Sequence, residues 1–107
     1  MADEERFGGL RKGLLEFAIL RVIEGSSVYV ADILAKLSST PFATQEGTLY
    51  PLLSKLRREE LLDYEWVESD QGPPRKYYQL TPKGAARLED LSAYWRQLDT
   101  TLQNLGR

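Results

Sequence analysis

Apolar residues recur at helical spacing in three consecutive segments of the chain. From Arg11 to Glu24 they cover more than one helix face, which predicts a helix buried on two sides. The glycine and serines at 25–27 end it, and a second helical pattern follows up to the break at 38–41. The third segment predicts an amphipathic helix packed on a core, because its leucines follow i, i+3, i+4, i+7 spacing: Leu49, Leu52, Leu53 and Leu56.

A two-residue alternation of apolar and polar side chains follows these helices and predicts a β-hairpin. Tyr64 and Trp66 alternate in one arm, and Tyr78 and Leu80 alternate in the other. The connection at 69–74 contains Gly-Pro-Pro, which we expect to interrupt both strands. An isolated hairpin is marginal in water, so this one must pack on the helices.

The last helix is predicted from Thr81 as its N-cap and Pro82 at its first position. At ~1.5 Å per residue, a helix over 82–105 is longer than a small core needs, so we predict that it forms a dimer. The alternative is that it packs only on its own domain. The predicted dimer seam follows heptad spacing: Leu88, Leu91, Trp95, Leu98, Leu102 and Leu105.

These elements predict an α+β, mostly α fold: a winged helix-turn-helix with a long C-terminal dimerisation helix. The third helix is then the reading helix. We expect a flexible segment at 1–10, a winged helix-turn-helix domain at 11–80 and the dimerisation helix at 81–107. A chain of 107 residues builds only a thin core, which dimerisation would help.

The composition argues against enzyme chemistry. The chain has neither Cys nor His, which removes thiol nucleophiles, Ser-His-Asp triads and thiolate or imidazole metal sites. The adjacent carboxylates at 59–60 and 89–90 do not face each other on a helix. We therefore predict no enzyme, no cofactor and no metal. No apolar run approaches the ~20 residues that cross a bilayer, so we expect no membrane partner and a cytoplasmic protein.

The net charge of -2 argues against a general nucleic-acid binder, but the charges are unevenly distributed. Residues 63–70 carry four carboxylates and no cation, whereas residues 71–87 carry four cations and no carboxylate. The basic arm of the hairpin could meet phosphate while the acidic arm faces away. The alternative is that the two arms only form ion pairs with each other.

Two segments resemble the signature motifs of the PadR family of bacterial transcriptional regulators: GTLYPLL at 47–53 and RKYYQLTPKG at 75–84. The resemblance covers the chain from Arg11 to Leu105, and the single C-terminal helix is similar to the smaller subgroup that includes multidrug-sensing members. It implies a homodimeric winged-helix repressor that binds palindromic double-stranded DNA. It also implies release by a small aromatic or cationic effector.

The resemblance implies a DNA-binding surface, and each residue in it has suitable chemistry. Gln45 and Thr48 offer an amide and a hydroxyl to base edges, and Lys55 can neutralise a phosphate. The tyrosines can donate to the DNA backbone or instead serve as half-buried packing residues. The wing cations can reach phosphate or remain a solvated strand edge. The implied set is Tyr29, Gln45, Thr48, Tyr50, Lys55, Arg75 and Lys76.

Trp95 is a poor residue for close packing in a heptad seam because it is large and carries a polar N–H. In multidrug-sensing members, an aromatic residue on this helix faces its symmetry mate and sandwiches flat ligands. The resemblance therefore implies an effector slot at Trp95, lined by Leu15, Ile19 and Leu91, with Asp99 nearby for a cation. The alternative is that Trp95 plugs the core of the dimer.

The chain departs from the family pattern in three places. Glu60 stands where members usually have Gly after the reading helix, so we expect that turn to be built differently. Val28 and Val30 flank Tyr29 where many members have His-Gly, and the Gly-Pro-Pro wing tip is stiffer and less basic than usual.

The rival function is a winged-helix adaptor that binds another protein and no longer binds DNA.

Overall fold

The computed structural model describes the backbone of residues 3–107 and the side chains of residues 5–107. It confirms the α+β, mostly α winged-helix fold, with three helices, a two-stranded antiparallel wing and a long last helix. The elements are α1 (Asp3–Ile23), α2 (Val30–Ser38), α3 (Glu46–Arg58), β1 (Leu62–Ser69), β2 (Gly72–Leu80) and α4 (Pro82–Leu105).

One hydrophobic core joins the helices to the base of the wing. The predicted stripe of α3 supplies Leu49, Leu53 and Leu56 to this core, and Leu52 packs beside it. α4 contributes Leu88 to the same core, so the predicted boundary between residues 80 and 81 does not separate two cores. The other buried members are Leu15, Ile19, Leu20, Ile23, Val30, Ile33, Leu37, Leu61, Leu62 and Tyr78.

The first helix begins earlier than the sequence predicted. α1 starts at Asp3, with a local break at Phe7, where φ is -118° and ψ is 16°. The predicted flexible segment at 1–10 is therefore helical from residue 3 onward, and residues 1 and 2 lie outside the described part. Gly8 and Gly9 each cost about 1 kcal/mol of helix stability relative to Ala. The strong helix formers around them outweigh that cost.

The turn after α3 is a Schellman motif, the usual left-handed helix ending, with Glu60 at the position that favours glycine. Glu60 has φ 65°, the Leu61 amide donates to the Leu56 carbonyl at 2.9 Å, and the Glu60 amide donates to the Arg57 carbonyl at 2.9 Å. The expectation of a differently built turn is therefore wrong. The glutamate adopts the left-handed conformation because burial of Leu61 against the core fixes the chain there.

The wing is longer than predicted, because both strands continue past the positions expected to stop them. β2 includes Pro73 and Pro74, and the register is irregular between Val67 and Ser69. A proline has no backbone N–H to donate to the neighbouring strand. At a register irregularity of this kind no hydrogen bond from that position is needed, so the prolines can remain in the strand. At the base of the wing, Val28 pairs with Tyr78 through two backbone hydrogen bonds of 3.0 and 2.7 Å.

Candidate nucleic-acid interface

A groove of about 440 Å³ separates the wing from the starts of α2 and α3. We call it the wing groove. The two helix starts point into it from one side, and the wing forms the other side. Its lining combines aromatic rings, two cations and one carboxylate: Tyr29, Val30, Ala31, Glu46, Tyr50, Trp66, Pro74, Arg75 and Lys76.

Aromatic faces hold the two cations of the wing. The Arg75 guanidinium lies 4.9 Å from the centre of the Tyr29 ring. The Lys76 ammonium lies 4.6 Å from the centre of the Tyr64 ring and 5.3 Å from that of Trp66. Their cross-strand neighbours are Val67 and Trp66, and no ion pair joins the two arms within the described residues. The cations are therefore not neutralised across the hairpin.

Tyr29 links α2 to the wing. Its ring lies 5.4 Å from that of Tyr77, and its backbone amide donates to the Asp32 carboxylate at 3.3 Å. The residue is half-buried, as in the packing alternative that the sequence left open, while its contact with DNA stays a prediction. Its position places a phenol at the edge of the wing groove beside Arg75.

The start of α3 presents polar side chains to solvent. Gln45 is the N-cap residue but its side chain makes no capping hydrogen bond, and Thr48 is exposed one turn later. Tyr50 is 46% exposed and lines the wing groove. These three predicted residues therefore lie at the same end of α3, and of the three Tyr50 lines the wing groove together with the wing cations.

Lys55 does not join this set, because its ammonium is engaged in ion pairs inside the molecule. Its Nζ lies 3.0 Å from a Glu16 carboxylate oxygen and 3.5 Å from one of Glu59. Arg87 of α4 lies 3.9 Å from the same two carboxylates. A hydrogen bond to Glu16 is the largest of the effects that raise the pKa of Lys55 above its usual value. This cluster ties α3 to α1 and α4.

Four further residues around the interface lie outside the predicted DNA-binding set. Ser54 and Arg58 are exposed on the outer side of α3, one turn apart and away from the buried leucines. The Arg57 guanidinium lies 4.5 Å from the centre of the Tyr64 ring, on the wing side of the helix. Trp66 lines the wing groove. Helical spacing already places Ser54 and Arg58 opposite the leucine stripe, whereas the positions of Arg57 and Trp66 depend on how the wing folds against α3.

A second, mainly apolar groove of about 390 Å³ lies between α1, α4 and the turn that joins α2 to α3. Trp95, the residue around which the effector slot was predicted, is one of its lining residues. The other lining residues are Leu14, Phe17, Ala18, Arg21 and Phe42. We call it the Trp95 groove.

Other residues predicted around Trp95 lie elsewhere in the single chain. Leu15 and Ile19 are buried in the core, because the face of α1 that meets the groove is the one with Leu14, Phe17 and Ala18. Leu91 packs half-buried against the core. Asp99 is exposed and accepts a hydrogen bond from Gln103 at 3.2 Å. The charged residue at the groove is therefore Arg21 rather than Asp99.

The predicted dimer seam divides into two parts. Leu88 is buried in the core of its own chain and Leu91 packs beside it. They are therefore unavailable to form a separate seam. The remaining members are large apolar side chains exposed on α4: Trp95, Leu98, Leu102 and Leu105.

A helix-turn-helix with a two-stranded wing and a polar reading helix defines a winged helix-turn-helix regulator. The family model described as "Transcriptional regulator PadR-like family" matches residues 19–90. The chain belongs to this family and is a transcriptional regulator, which also confirms the prediction that it is not an enzyme. Within the described residues, no helix is both long and apolar enough to cross a membrane.

Solved structures show the same fold. A PadR-like transcription factor from Bacteroides fragilis is 46% identical, with a TM-score of 0.81 and coverage of 94% of this chain and 98% of that one. A PadR-like transcriptional regulator from Bacillus cereus is 38% identical, with a TM-score of 0.81 and coverage of 91% and 95%. An uncharacterised protein of Lysinibacillus sphaericus is 30% identical over 90 residues, which are 81% of this chain and 83% of the relative.

Proposed function

We propose that the protein is a homodimeric repressor that binds a palindromic DNA operator. The observation that carries the proposal is the wing groove, where the start of α3 and the wing cations Arg75 and Lys76 face the same space. An α-helix fits the major groove, and cations beside it reach the flanking phosphates. Two reading helices in one dimer would enter successive major grooves about 10 bp apart or a small multiple of it.

The proposed contacts are divided by chemistry. Gln45 and Thr48 address base edges, because an amide and a hydroxyl at the helix start reach into the major groove. Tyr29 and Tyr50 donate phenolic hydrogen bonds to the DNA backbone, while Arg75 and Lys76 meet phosphates. The ion pairs of Lys55 leave it a weaker candidate, so we assign its predicted phosphate contact to the wing instead.

The proposed dimer uses the exposed apolar face of α4. Leu102 and Leu105 do not belong to the core of the single chain. They are 67% and 75% exposed, respectively. Exposed apolar residues at heptad spacing are typical of a helix that packs against a second copy.

The proposed effector is a flat aromatic molecule bound at the Trp95 groove. Trp95, Phe17 and Phe42 supply aromatic surface there, which favours ring stacking. Of the two expected effector classes we retain the aromatic one, because Asp99 does not line the groove. An effector lowers operator affinity only if it binds the DNA-free state more tightly than the DNA-bound state.

The test is binding of the purified protein to a fluorescent duplex of its own upstream region across a salt series, with a scrambled duplex as control. We expect selective binding whose log-log salt slope is about -0.9 per phosphate contacted. Lys76→Ala should make the slope about 0.9 shallower. Lys55→Ala, which removes the same charge from the internal cluster, should leave it nearly unchanged.

Absence of duplex binding at any salt concentration would contradict the proposal and favour the adaptor function. Equal slopes for the two lysine variants would contradict the assignment of the phosphate contact to the wing. For the effector, quenching of Trp95 fluorescence by an aromatic ligand, measured in a Trp66→Phe background, must be accompanied by weaker duplex binding. If a ligand quenches Trp95 fluorescence without changing operator affinity, the Trp95 groove binds that ligand but does not regulate DNA binding.

A further inference from the structure

Trp66 is a large aromatic residue that the wing leaves 61% exposed. It lies on β1 directly opposite Lys76 of β2, and both side chains line the wing groove. Neither the hydrophobic core nor the contacts proposed above give this side chain a role. The ring does not stand alone: Tyr50, which is 46% exposed, lines the same groove, and together they form an apolar surface that a partner outside the chain can cover.

The rings around Trp66 restrain both the tryptophan and the neighbouring cation. Trp66 stands edge-on to Tyr64, with ring centres 6.1 Å apart and planes at 89°. The Lys76 ammonium lies within 5.3 Å of both ring centres, so the two aromatic residues together hold the end of a flexible side chain. A lysine ordered before binding loses less conformational entropy when it meets an anion.

We propose that Trp66 contacts the DNA sugar–phosphate backbone, covering a deoxyribose with its ring while it positions Lys76 for the adjacent phosphate. This inference rests on the proposed DNA binding. The backbone of DNA alternates apolar sugars and charged phosphates, and the wing presents an apolar ring and an ammonium side by side in matching order. Trp66 is thus both a contact residue and a positioning residue for Lys76.

Charge complementarity identifies the occupant of the wing groove as an anion. Arg75 and Lys76 line the groove against one carboxylate, Glu46, and the Arg57 guanidinium adds a third cation next to the Tyr64 ring. A sugar–phosphate backbone also accounts for the pairing of the exposed Trp66 ring with Lys76 on one face of the wing. The other face carries the carboxylates Asp63 and Glu65 together with Arg75, which packs on Tyr29.

Fluorescence can follow Trp66 directly, because the chain has only two tryptophans. In a Trp95→Phe background Trp66 is the only tryptophan, so selective excitation of tryptophan reports on it alone, and acrylamide quenching measures its exposure. We expect unlabelled duplex to protect Trp66 from acrylamide. Backbone contact is independent of sequence, so a scrambled duplex at low salt should also protect it. Quenching that is unchanged at saturating duplex, with binding verified by anisotropy, would overturn the contact.

Measurements of duplex affinity distinguish the loss of the Trp66 ring contact from a general disturbance of the fold. Trp66→Ala should weaken duplex binding about three- to tenfold, as expected for the loss of one aromatic contact and one ordered cation. Trp66→Phe should keep most of the affinity. Val67→Ala, on the other face of β1 and opposite Arg75, is the control for loss of exposed apolar surface without contact to Lys76. Thermal melting of each variant checks that the wing remains folded.

A double-mutant cycle tests the positioning role. If Trp66 acts partly through Lys76, the combined loss in Trp66→Ala/Lys76→Ala is smaller than the product of the two single losses. Strictly multiplicative losses would leave Trp66 as a contact residue but overturn its positioning of Lys76. If the wild type binds duplex and Trp66→Ala binds equally well, only the Trp66 inference fails. If the wild type binds no duplex at low salt, DNA binding and the inference fail together.

Discussion

The α-carbon of Gly84 lies directly against the backbone carbonyl of Leu61, so that a β-carbon at position 84 would collide with that carbonyl oxygen. The same carbonyl accepts a hydrogen bond from the Thr81 amide at 3.1 Å. Thr81 in turn caps α4 by accepting from the Gly84 amide at 2.9 Å and donates to the Glu60 carbonyl at 2.6 Å. This contact fixes the start of α4 against the turn that ends α3.

Gly84→Ala is therefore expected to destabilise the protein by about 3 kcal/mol, because a rigid backbone carbonyl cannot move aside as a side chain can. Chemical denaturation measures the change. Gly13→Ala is the matched control, since a β-carbon there meets no neighbouring atom within 4 Å and position 13 lies inside α1. That substitution should stabilise by about 0.5–1 kcal/mol. Equal effects of the two substitutions would contradict the close approach.

Glu60→Gly is expected to stabilise the protein by roughly 0.5–1 kcal/mol. The left-handed conformation costs a non-glycine residue about 1–2 kcal/mol, and the extra backbone entropy of glycine in the unfolded state offsets part of that gain. Glu60→Ala removes the same carboxylate but keeps the left-handed strain, so it should not stabilise. A gain in the alanine variant as large as that in the glycine variant would attribute the effect to charge rather than to the backbone.

The sequence predicted the elements well because their signals are local. Thr81 and Pro82 predicted the start of α4, and the leucine spacing of α3 predicted which of its faces is buried. The hairpin was also predicted, but its length was not, because an irregular register lets Pro73 and Pro74 stay in β2. Such irregularities depend on pairing with the other strand, which periodicity within one strand does not report.

The candidate site was harder to predict because its geometry depends on distant segments. Lys55 carries suitable chemistry for phosphate, but in the folded chain its ammonium pairs with Glu16 of α1. Arg87 of α4 lies near the same carboxylate. Neither contact can be read from the sequence around Lys55. Leu15 was expected beside Trp95, but the α1 pattern covers more than one face and cannot say which face meets the core. Trp66 was predicted as a strand residue without a role, since alternation alone does not reveal which face of the wing borders a groove.

The stability of the protein should fall as the pH rises above about 10, in part through Tyr78. Burial raises the pKa of the Tyr78 phenol above its ordinary value, and the neighbouring Tyr50 and Tyr64 raise it further. The unfolded chain then loses this proton first, near pH 10, so the contribution is present below that pH and is lost as the pH rises toward the folded pKa. Urea unfolding at pH 9 and pH 11 should show a smaller alkaline loss in Tyr78→Phe than in the wild type. An equal loss in both would assign the effect to other groups.

Leu102→Asp is expected to convert the proposed dimer to a monomer, because it places a charge in the exposed apolar face of α4. Light scattering coupled to size-exclusion chromatography measures the mass. Thr100→Asp introduces the same charge two residues earlier, on the opposite side of the helix, and should leave the dimer intact. A wild-type protein that is already monomeric at micromolar concentration would contradict the assignment of this face to dimerisation.

Arg11 ties α1 to the turn before the reading helix, and its removal should weaken DNA binding without a direct contact to DNA. Its guanidinium donates to the Pro41 carbonyl at 2.7 Å and also to the Ala43 carbonyl, on either side of Phe42 in the Trp95 groove. The turn leads into Gln45 at the N-cap of α3, so a loosened turn lets the reading helix shift. Hydrogen bonds to a charged group contribute about 1.5–3 kcal/mol when buried, and the partial exposure here reduces the expected loss of stability to about 1 kcal/mol.

The measurement compares Arg11→Ala with Lys12→Ala, which removes one positive charge from the next, exposed position of α1. We expect Arg11→Ala to weaken duplex binding several-fold more than Lys12→Ala at the same salt, with an unchanged salt slope because no phosphate contact is lost. Arg11→Lys keeps the charge but cannot span both carbonyls, so it should resemble the alanine variant. If Arg11→Lys binds as tightly as the wild type, charge rather than the paired hydrogen bonds sets the position of the reading helix.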